Sequence, residues 1–170
     1  RQPLLDRVAG GGTRSQTLSV ETILLVEDNP NDVLLIQRAF RKAGLAHSLR
    51  VVSHGEEALE YLAGAGEFAN REQHPFPALM LLDLQLPRRS GHEVLEWLQA
   101  QAEDMRRLPV VVLTSSRELR DINRAYELGA KSYLVKPVDV EALLDLRRAL
   151  EHYWLSLAER PEGPRARPSR

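Results

Sequence analysis

The chain has no cysteine, which excludes disulfide bonds, thiol catalysis and cysteine-bound zinc. Aromatic residues make up only 5% of its 170 residues, and no apolar run approaches the roughly 18 residues that a membrane span needs. Neither sign of charge dominates, since 23 Lys and Arg against 24 Asp and Glu give a formal net charge of −1. We therefore expect neither nucleic acid nor a membrane as a partner. Because the first residues lack a secretory signal, we expect a cytoplasmic protein.

Composition changes towards both ends of the chain. Residues 1–20 contain three consecutive glycines and no apolar period, and residues 158–170 combine three prolines with four arginines. We expect flexible tails over 1–20 and 158–170, on either side of one folded domain over 21–157. Hydrophobic residues form 43% of the chain, which suffices for a core of ordinary size.

Short apolar runs alternate with amphipathic helical patterns five times. The runs cover residues 23–26, 49–52, 77–82, 110–113 and 133–135. Five β-then-α units predict an α/β fold, with a five-stranded parallel sheet and helices on both faces. The second and fifth strands carry the polar residues Arg50, Lys131 and Ser132, which favours edge positions. The order 2-1-3-4-5 satisfies this and places a ligand crevice between strands one and three.

Capping residues predict where the helices begin. Asn29 before a proline is typical of the start of the first helix. Ser90 and Glu93 have the spacing of a capping box at the third helix, and Ser115 and Glu118 have the same spacing at the fourth.

Reactive side chains follow the strands at the edge where the crevice is expected. Glu27 and Asp28 follow the first strand, and Asp83 follows the third. Carboxylates at close range repel one another, and Mg²⁺ relieves this repulsion because it takes oxygen ligands. Thr114 ends the fourth strand and Lys136 follows the fifth, which adds a hydroxyl and an ammonium group. Together these groups suit phosphoryl transfer to a carboxylate oxygen.

Four short motifs carry a family resemblance. They are Leu25–Asn29, Leu82–Pro87, Leu113–Ser116 and Val135–Pro137. In this order and at these strand ends, they resemble the response-regulator receiver domain of bacterial two-component signalling, over about residues 20–155. The resemblance implies a flavodoxin-like signalling domain that catalyses only its own Mg²⁺-dependent aspartyl phosphorylation and dephosphorylation.

The resemblance implies how the phosphoryl group and the metal ion are held. Asp83 would accept the phosphoryl group, and Lys136 would pair with the phosphoryl oxygens. The acidic pair Glu27 and Asp28, together with Asp83 and the main-chain carbonyl of Gln85, would form the Mg²⁺ site.

The resemblance also implies a switch and two tuning positions. Thr114 would hydrogen-bond the phosphoryl group, and the ring of Tyr133 would turn inward as Thr114 moves. Gln85 and Ser116 occupy positions that tune the hydrolysis of the phosphoryl group in this family. The peptide bond between Lys136 and Pro137 is expected to be cis.

Three features narrow the resemblance to single-domain, phytochrome-associated regulators. They are the long polar linker over 64–76, the helix opening at residues 29–32, and the lack of an output domain after residue 157. The phosphoryl donor would then be a light-regulated histidine kinase, a bacteriophytochrome.

The last helical pattern indicates a second copy of the chain as a partner. From Asp139 to Leu157 it would extend roughly 28 Å, and its apolar surface, which includes Tyr153 and Trp154, is wider than one core stripe. We predict a homodimer through this helix, the fourth helix and the fifth strand. The alternative is that the extension folds back onto its own domain.

Other protein classes fit the sequence less well. A phosphatase of the haloacid-dehalogenase type has a second Asp two residues after its nucleophile, where this chain has Gln85. A dinucleotide-binding oxidoreductase has a glycine-rich turn after its first strand, and a DNA-binding regulator needs a further domain. A phosphorelay intermediate, which passes its phosphoryl group from Asp83 to a histidine phosphotransfer protein, stays open beside a terminal regulator.

Overall fold

The computed structural model describes residues 21–42 and 48–136, together with Ala142, Asp145 and Arg148. The strands are β1 (Thr22–Val26), β2 (Ser48–Val52), β3 (Leu79–Leu82), β4 (Val110–Thr114) and β5 (Ser132–Val135). The longer helices are α1 (Pro30–Lys42), α2 (Gly55–Ala63), α3 (Gly91–Gln99) and α4 (Leu119–Glu127). A 3₁₀ turn over Gly66–Phe68 and a one-turn helix over Glu103–Arg106 lie in the connections.

All five strands are parallel and lie in the order β2-β1-β3-β4-β5, which confirms the predicted fold and strand order. The central strands β1, β3 and β4 are buried along their whole length, whereas β5 at one edge is half-buried. The register pairs Val26 with both Val52 and Leu82, so the carboxyl ends of β1, β2 and β3 are level. This alignment brings the residues that follow the strands to one edge of the sheet.

The sheet is covered on both faces, as the five β-then-α units predict. On one face, Ile23 and Leu25 of β1 pack with Ile36 and Phe40 of α1. On the other face, the alternate residues of β1 belong to a larger cluster that includes side chains of α2 and α3. Each fully buried aliphatic side chain contributes about 1.5–3 kcal/mol to stability, so the two clusters hold the strand ends in place.

Two of the predicted helix starts are confirmed. Asn29 Oδ1 accepts a hydrogen bond of 2.9 Å from the Asn31 amide at the start of α1. The capping box of Ser90 and Glu93 is present at α3, with both of its reciprocal hydrogen bonds.

The capping box predicted from Ser115 and Glu118 is wrong. The helix α4 begins only after Glu118, whose extended backbone makes it the N-cap, so the exposed Ser115 lies three residues too early. The neighbouring Ser116 supports the helix instead, because its Oγ donates a hydrogen bond of 2.7 Å to Asp121 Oδ2 in the first turn.

The connection between α2 and β3 has more structure than its polar sequence predicts. Phe68 is buried, and its ring lies 5.1 Å from that of Tyr61 and 5.2 Å from that of His74. The Arg71 guanidinium donates hydrogen bonds to the carbonyl oxygens of Tyr61 (2.8 Å) and Leu62 (2.6 Å) at the end of α2. This connection is therefore fixed to the helix by aromatic packing and by main-chain hydrogen bonds.

Several predictions fall outside the described residues. These are the two tails, the Lys136–Pro137 bond, most of the last helix, and the dimer residues Tyr153, Trp154 and Leu157. Within the described ranges, no helix is long and apolar enough to cross a membrane.

Candidate functional site

The carboxyl ends of β1, β3, β4 and β5 bring four predicted side chains to one edge of the sheet. Glu27 follows β1, Asp83 follows β3, Thr114 ends β4 and Lys136 follows β5. Main-chain hydrogen bonds fix two of these positions: the Asp83 amide donates to Val26 O at 3.1 Å, and the Lys136 amide donates to Thr114 O at 2.8 Å. The sheet order thus juxtaposes residues that lie up to 109 positions apart, from Glu27 to Lys136.

The ammonium group of Lys136 lies at the centre of the site. Its Nζ is 2.7 Å from Glu27 Oε2, 2.9 Å from Asp83 Oδ2 and 2.9 Å from Asp32 Oδ2. Burial lowers the pKa of Lys136, but the hydrogen bonds that its ammonium group donates to these three carboxylates outweigh burial and hold the pKa above its ordinary value. Lys136 is therefore a fixed cation at neutral pH.

Two of these carboxylates are almost fully buried. The side chains of Glu27 and Asp83 are only 1% and 4% exposed. Burial raises the pKa of Glu27 above its ordinary value, although hydrogen bonds from Lys136 and from the Asn29 amide oppose the rise. The negative charge of Asp83 raises the Glu27 pKa further. The site therefore holds more negative charge than Lys136 alone can balance.

The acidic residues fit a divalent cation. Glu27, Asp28 and Asp83 each offer one carboxylate oxygen, and these oxygens lie within 4.8 Å of one another. Asp28 is exposed, so the group opens to solvent on one side. Oxygen donors of this kind are those that Mg²⁺ and related ions take. Gln85 lies two residues beyond Asp83, and its amide donates a hydrogen bond of 3.2 Å to Asp83 Oδ1.

The loop between β4 and α4 links Thr114 to Tyr133. Thr114 is fully buried, and its Oγ1 accepts a hydrogen bond of 3.4 Å from the Ser116 amide. The Tyr133 hydroxyl donates a hydrogen bond of 2.8 Å to Ser116 O, and burial raises the pKa of Tyr133. Both predicted switch residues therefore contact the same loop residue.

Sequence reasoning missed Asp32 as a member of the site. From the sequence, an acidic residue in the first turn of α1 indicates only a favourable interaction with the helix dipole. Its contact with Lys136 spans 104 residues of the chain. Its position in the sequence could have predicted this role, because the third residue of a helix that begins just after β1 lies next to the strand ends.

Known proteins share both the sequence pattern and the fold. A model of the response regulator receiver domain matches residues 23–148. Response regulator Rcp1 of Synechocystis is 37% identical over 141 residues, which cover 83% of this chain and 93% of Rcp1. The probable methanogenesis regulatory protein FilR2 of Methanothrix harundinacea is 40% identical over 145 residues, which cover 84% of this chain and 88% of FilR2.

Two solved structures resemble this one closely. The Mn²⁺-bound form of Rcp1 matches with a TM-score of 0.70 and 36% identity, over 85% of this chain and 99% of the other. The phosphorylated cyanobacterial phytochrome response regulator RcpA matches with a TM-score of 0.74 and 38% identity, over 84% and 99%. The span matched by the family model contains every residue of the site described above.

Proposed function

The chain belongs to the response regulator receiver family, and on that premise we propose that it accepts a phosphoryl group on Asp83 from a sensor histidine kinase. One observation carries the proposal. The buried Asp83 carboxylate lies 2.9 Å from the Lys136 ammonium, beside two further carboxylates that suit a divalent cation. A nucleophile next to a fixed cation and a metal site is the arrangement that phosphoryl transfer needs.

The transfer needs little chemistry from the protein beyond positioning. The bond between phosphorus and nitrogen of the phosphohistidine breaks as a carboxylate oxygen of Asp83 forms a bond to phosphorus. The imidazole leaves with the electron pair and takes up a proton from solvent. Lys136 pairs with the phosphoryl oxygens, and the Thr114 hydroxyl donates a hydrogen bond to them.

Four groups would hold Mg²⁺. They are the carboxylates of Glu27, Asp28 and Asp83, with the main-chain carbonyl of Gln85 as a further oxygen. When bound, the ion supplies charge neutralisation between the carboxylates and the anionic phosphoryl group. A Mn²⁺-bound form of the relative Rcp1 supports a divalent ion at this site.

Phosphorylation would be transmitted through the loop between β4 and α4. Once Thr114 turns to the phosphoryl group, the hydrogen bond from the Ser116 amide to Thr114 Oγ1 is lost. The hydrogen bond from the Tyr133 hydroxyl to Ser116 O is then lost as well. The ring of Tyr133 then moves inward and changes the surface around α4. Gln85 and Ser116 would set how quickly the phosphoryl group is hydrolysed.

The partners we propose are a phytochrome-type histidine kinase in the cytoplasm and a second copy of the chain. The solved relative RcpA, a cyanobacterial phytochrome response regulator, supports the type of kinase. Leu119 on α4 and Val135 on β5 are 74% and 40% exposed, which supports a dimer through these elements and the last helix. In this proposal the receiver domain covers residues 21–157, with Tyr153, Trp154 and Leu157 in the interface and tails over 1–20 and 158–170.

Transfer from a purified phytochrome-type histidine kinase tests the proposed function. The kinase is first labelled with radioactive ATP and then mixed with the wild-type chain, with Asp83→Asn, or with Asp104→Asn as a control. Asp104 lies in the one-turn helix, where its carboxylate accepts a hydrogen bond from the Met105 amide, and it is not one of the residues of the site. We expect the label to move to the wild type and to Asp104→Asn and not to Asp83→Asn. Label on Asp83→Asn would overturn the proposal.

The same labelled protein separates a terminal regulator from a phosphorelay intermediate. A terminal regulator keeps its label until hydrolysis removes it. A relay intermediate loses the label to an added histidine phosphotransfer protein.

A further inference from the structure

All three N–H donors of the Lys136 ammonium have a carboxylate partner in the structure. The partners are Glu27 Oε2 at 2.7 Å, Asp83 Oδ2 at 2.9 Å and Asp32 Oδ2 at 2.9 Å. A phosphoryl group that arrives on Asp83 can therefore pair with Lys136 only if one of these hydrogen bonds is released.

Asp32 is the partner that can be released most readily. Its side chain is 28% exposed, whereas those of Glu27 and Asp83 are 1% and 4% exposed. Water can replace the hydrogen bond that Asp32 loses. A buried carboxylate that loses its partner has no such replacement, and its desolvation then destabilises the protein.

The start of α1 explains why Asp32 reaches Lys136. In a capping box, the acidic residue at the third helical position bonds back to the amide of the N-cap residue. Here that amide, of Asn29, donates instead to Glu27 Oε1 at 3.0 Å, and the Asn29 side chain caps the Asn31 amide. The Asp32 carboxylate is thus left to extend across to Lys136.

We propose that Asp32 is a positioning residue that restrains Lys136 in the unphosphorylated protein and so slows phosphoryl transfer to Asp83. The inference rests on the proposed function, and it adds a residue outside the predicted site. Asp32 acts through Lys136 and makes no bond to the phosphorus.

Asp32→Asn removes the charge but keeps the size of the side chain and an acceptor oxygen. The amide oxygen can still accept a hydrogen bond from Lys136, but the attraction between opposite charges is lost, so the amide releases Lys136 more easily. We expect acetyl phosphate to label Asp32→Asn about threefold to tenfold faster than the wild type. Because Asp32 is partly exposed, the variant is expected to fold.

The test compares the wild type, Asp32→Asn and Asp104→Asn, each with acetyl phosphate at saturating Mg²⁺. Asp104→Asn makes the same change of charge in the first turn of another helix, away from the site. The rate of labelling is followed by intact-protein mass. In parallel, ¹⁵N NMR without any phosphoryl donor follows the exchange of the Lys136 ammonium protons, which can be assigned because the chain has only three lysines.

Faster labelling of Asp32→Asn alone, with faster exchange of the Lys136 protons, is the expected result. Equal or slower labelling of Asp32→Asn overturns the inference. Faster labelling with unchanged proton exchange also overturns it, because the charge would then act on the donor directly rather than through Lys136. A wild-type chain that takes no label overturns the proposed function, and the inference falls with it.

Discussion

At the scale of single residues, the site depends on the balance of charge between Lys136 and the buried acids. Glu27 and Asp83 are nearly inaccessible to water, and both accept a hydrogen bond from the same ammonium group. Removal of one partner from a buried ion pair leaves an uncompensated charge in the interior. The resulting loss of stability exceeds the stability that the intact pair contributed. The ammonium group therefore serves stability as well as chemistry.

Replacing this ammonium should destabilise the fold. We expect Lys136→Met to lower the free energy of unfolding by about 3–5 kcal/mol, because Glu27 and Asp83 lose their shared cation. Urea unfolding at neutral pH, with a chelator present, measures the change. The control is Lys42→Met, at an exposed lysine that ends α1, which should stay within about 0.5 kcal/mol of the wild type. Equal stability of the two variants would contradict this role for Lys136.

The sequence predicts most members of the site for a simple physical reason. Glu27, Asp83 and Lys136 directly follow strands, and parallel strands end at one edge, so the strand order alone brings them together. The strand order does not predict the position of the Asp32 side chain. Its direction depends on how α1 packs against the sheet and on which group accepts the hydrogen bond from the Asn29 amide. The spacing of apolar residues in the sequence predicts neither the packing of α1 nor the partner of the Asn29 amide.

At the scale of elements, the loop between β4 and α4 connects the site to the neighbouring helix. Ser116 is its central residue: the hydroxyl donates to Asp121, the amide donates to Thr114 Oγ1, and the carbonyl accepts from Tyr133. The observed N-cap, Glu118, lies three residues after the predicted cap Ser115, because sequence spacing does not fix the residue at which a helix begins.

We expect Asp121→Ala to loosen this loop. The lost hydrogen bond should lower the free energy of unfolding by about 1 kcal/mol and raise the rate of amide hydrogen exchange over residues 115–118. Asp104→Ala, at the start of the one-turn helix, is the matched control and should leave this loop unchanged. Unaltered exchange in Asp121→Ala would show that Ser116 does not depend on α4.

The connection between α2 and β3 is a second element whose order the sequence did not reveal. The Tyr61 side chain is buried, and its hydroxyl donates a hydrogen bond of 3.0 Å to Pro75 O. Burial raises the pKa of Tyr61, and the nearby charges of Arg50 and Arg71 oppose the rise only in part. Polar residues in a linker usually predict mobility, and here a few aromatic and arginine side chains override them.

Tyr61→Phe tests the value of that hydrogen bond. We expect the free energy of unfolding to fall by about 1 kcal/mol at neutral pH. Since the raised pKa favours the protonated form, the contribution of Tyr61 is present below about pH 10 and is lost as the pH rises through the pKa of the folded state. The difference in the free energy of unfolding between the wild type and Tyr61→Phe should therefore become smaller in alkaline solution. Tyr126→Phe, at an exposed tyrosine, is the control and should leave the free energy of unfolding at neutral pH within about 0.5 kcal/mol of the wild type.

At the scale of the whole molecule, the strand order could be predicted because the polar residues mark the edges of the sheet. Arg50 is exposed on β2 and Ser132 is half-buried on β5, while the central strands are buried along their whole length and are apolar apart from Thr22 and Thr114 at strand ends. Contacts between segments that are distant in the chain cannot be predicted from residue polarity in this way. An example is the hydrogen bond that the Arg50 side chain donates to Gln73 O.

The proposed homodimer makes a prediction about mass. Light scattering at micromolar concentration should give twice the chain mass of 19.2 kDa. We expect Leu119→Arg to give the monomer, because it places a charge in the proposed interface on α4. Leu34→Arg makes the same substitution at an exposed leucine on α1 and should leave the dimer intact. A monomeric wild type, with or without a phosphoryl group, would contradict the dimer.

The central claim is that Asp83 is a working, metal-dependent phosphoryl acceptor. Its most direct test is the intact mass of the protein after incubation with acetyl phosphate, with and without Mg²⁺, beside Asp83→Asn. We predict one added phosphoryl group, only in the wild type and only with Mg²⁺. A folded wild type that gains no mass, or an Asp83→Asn variant that gains the same mass, would contradict the claim.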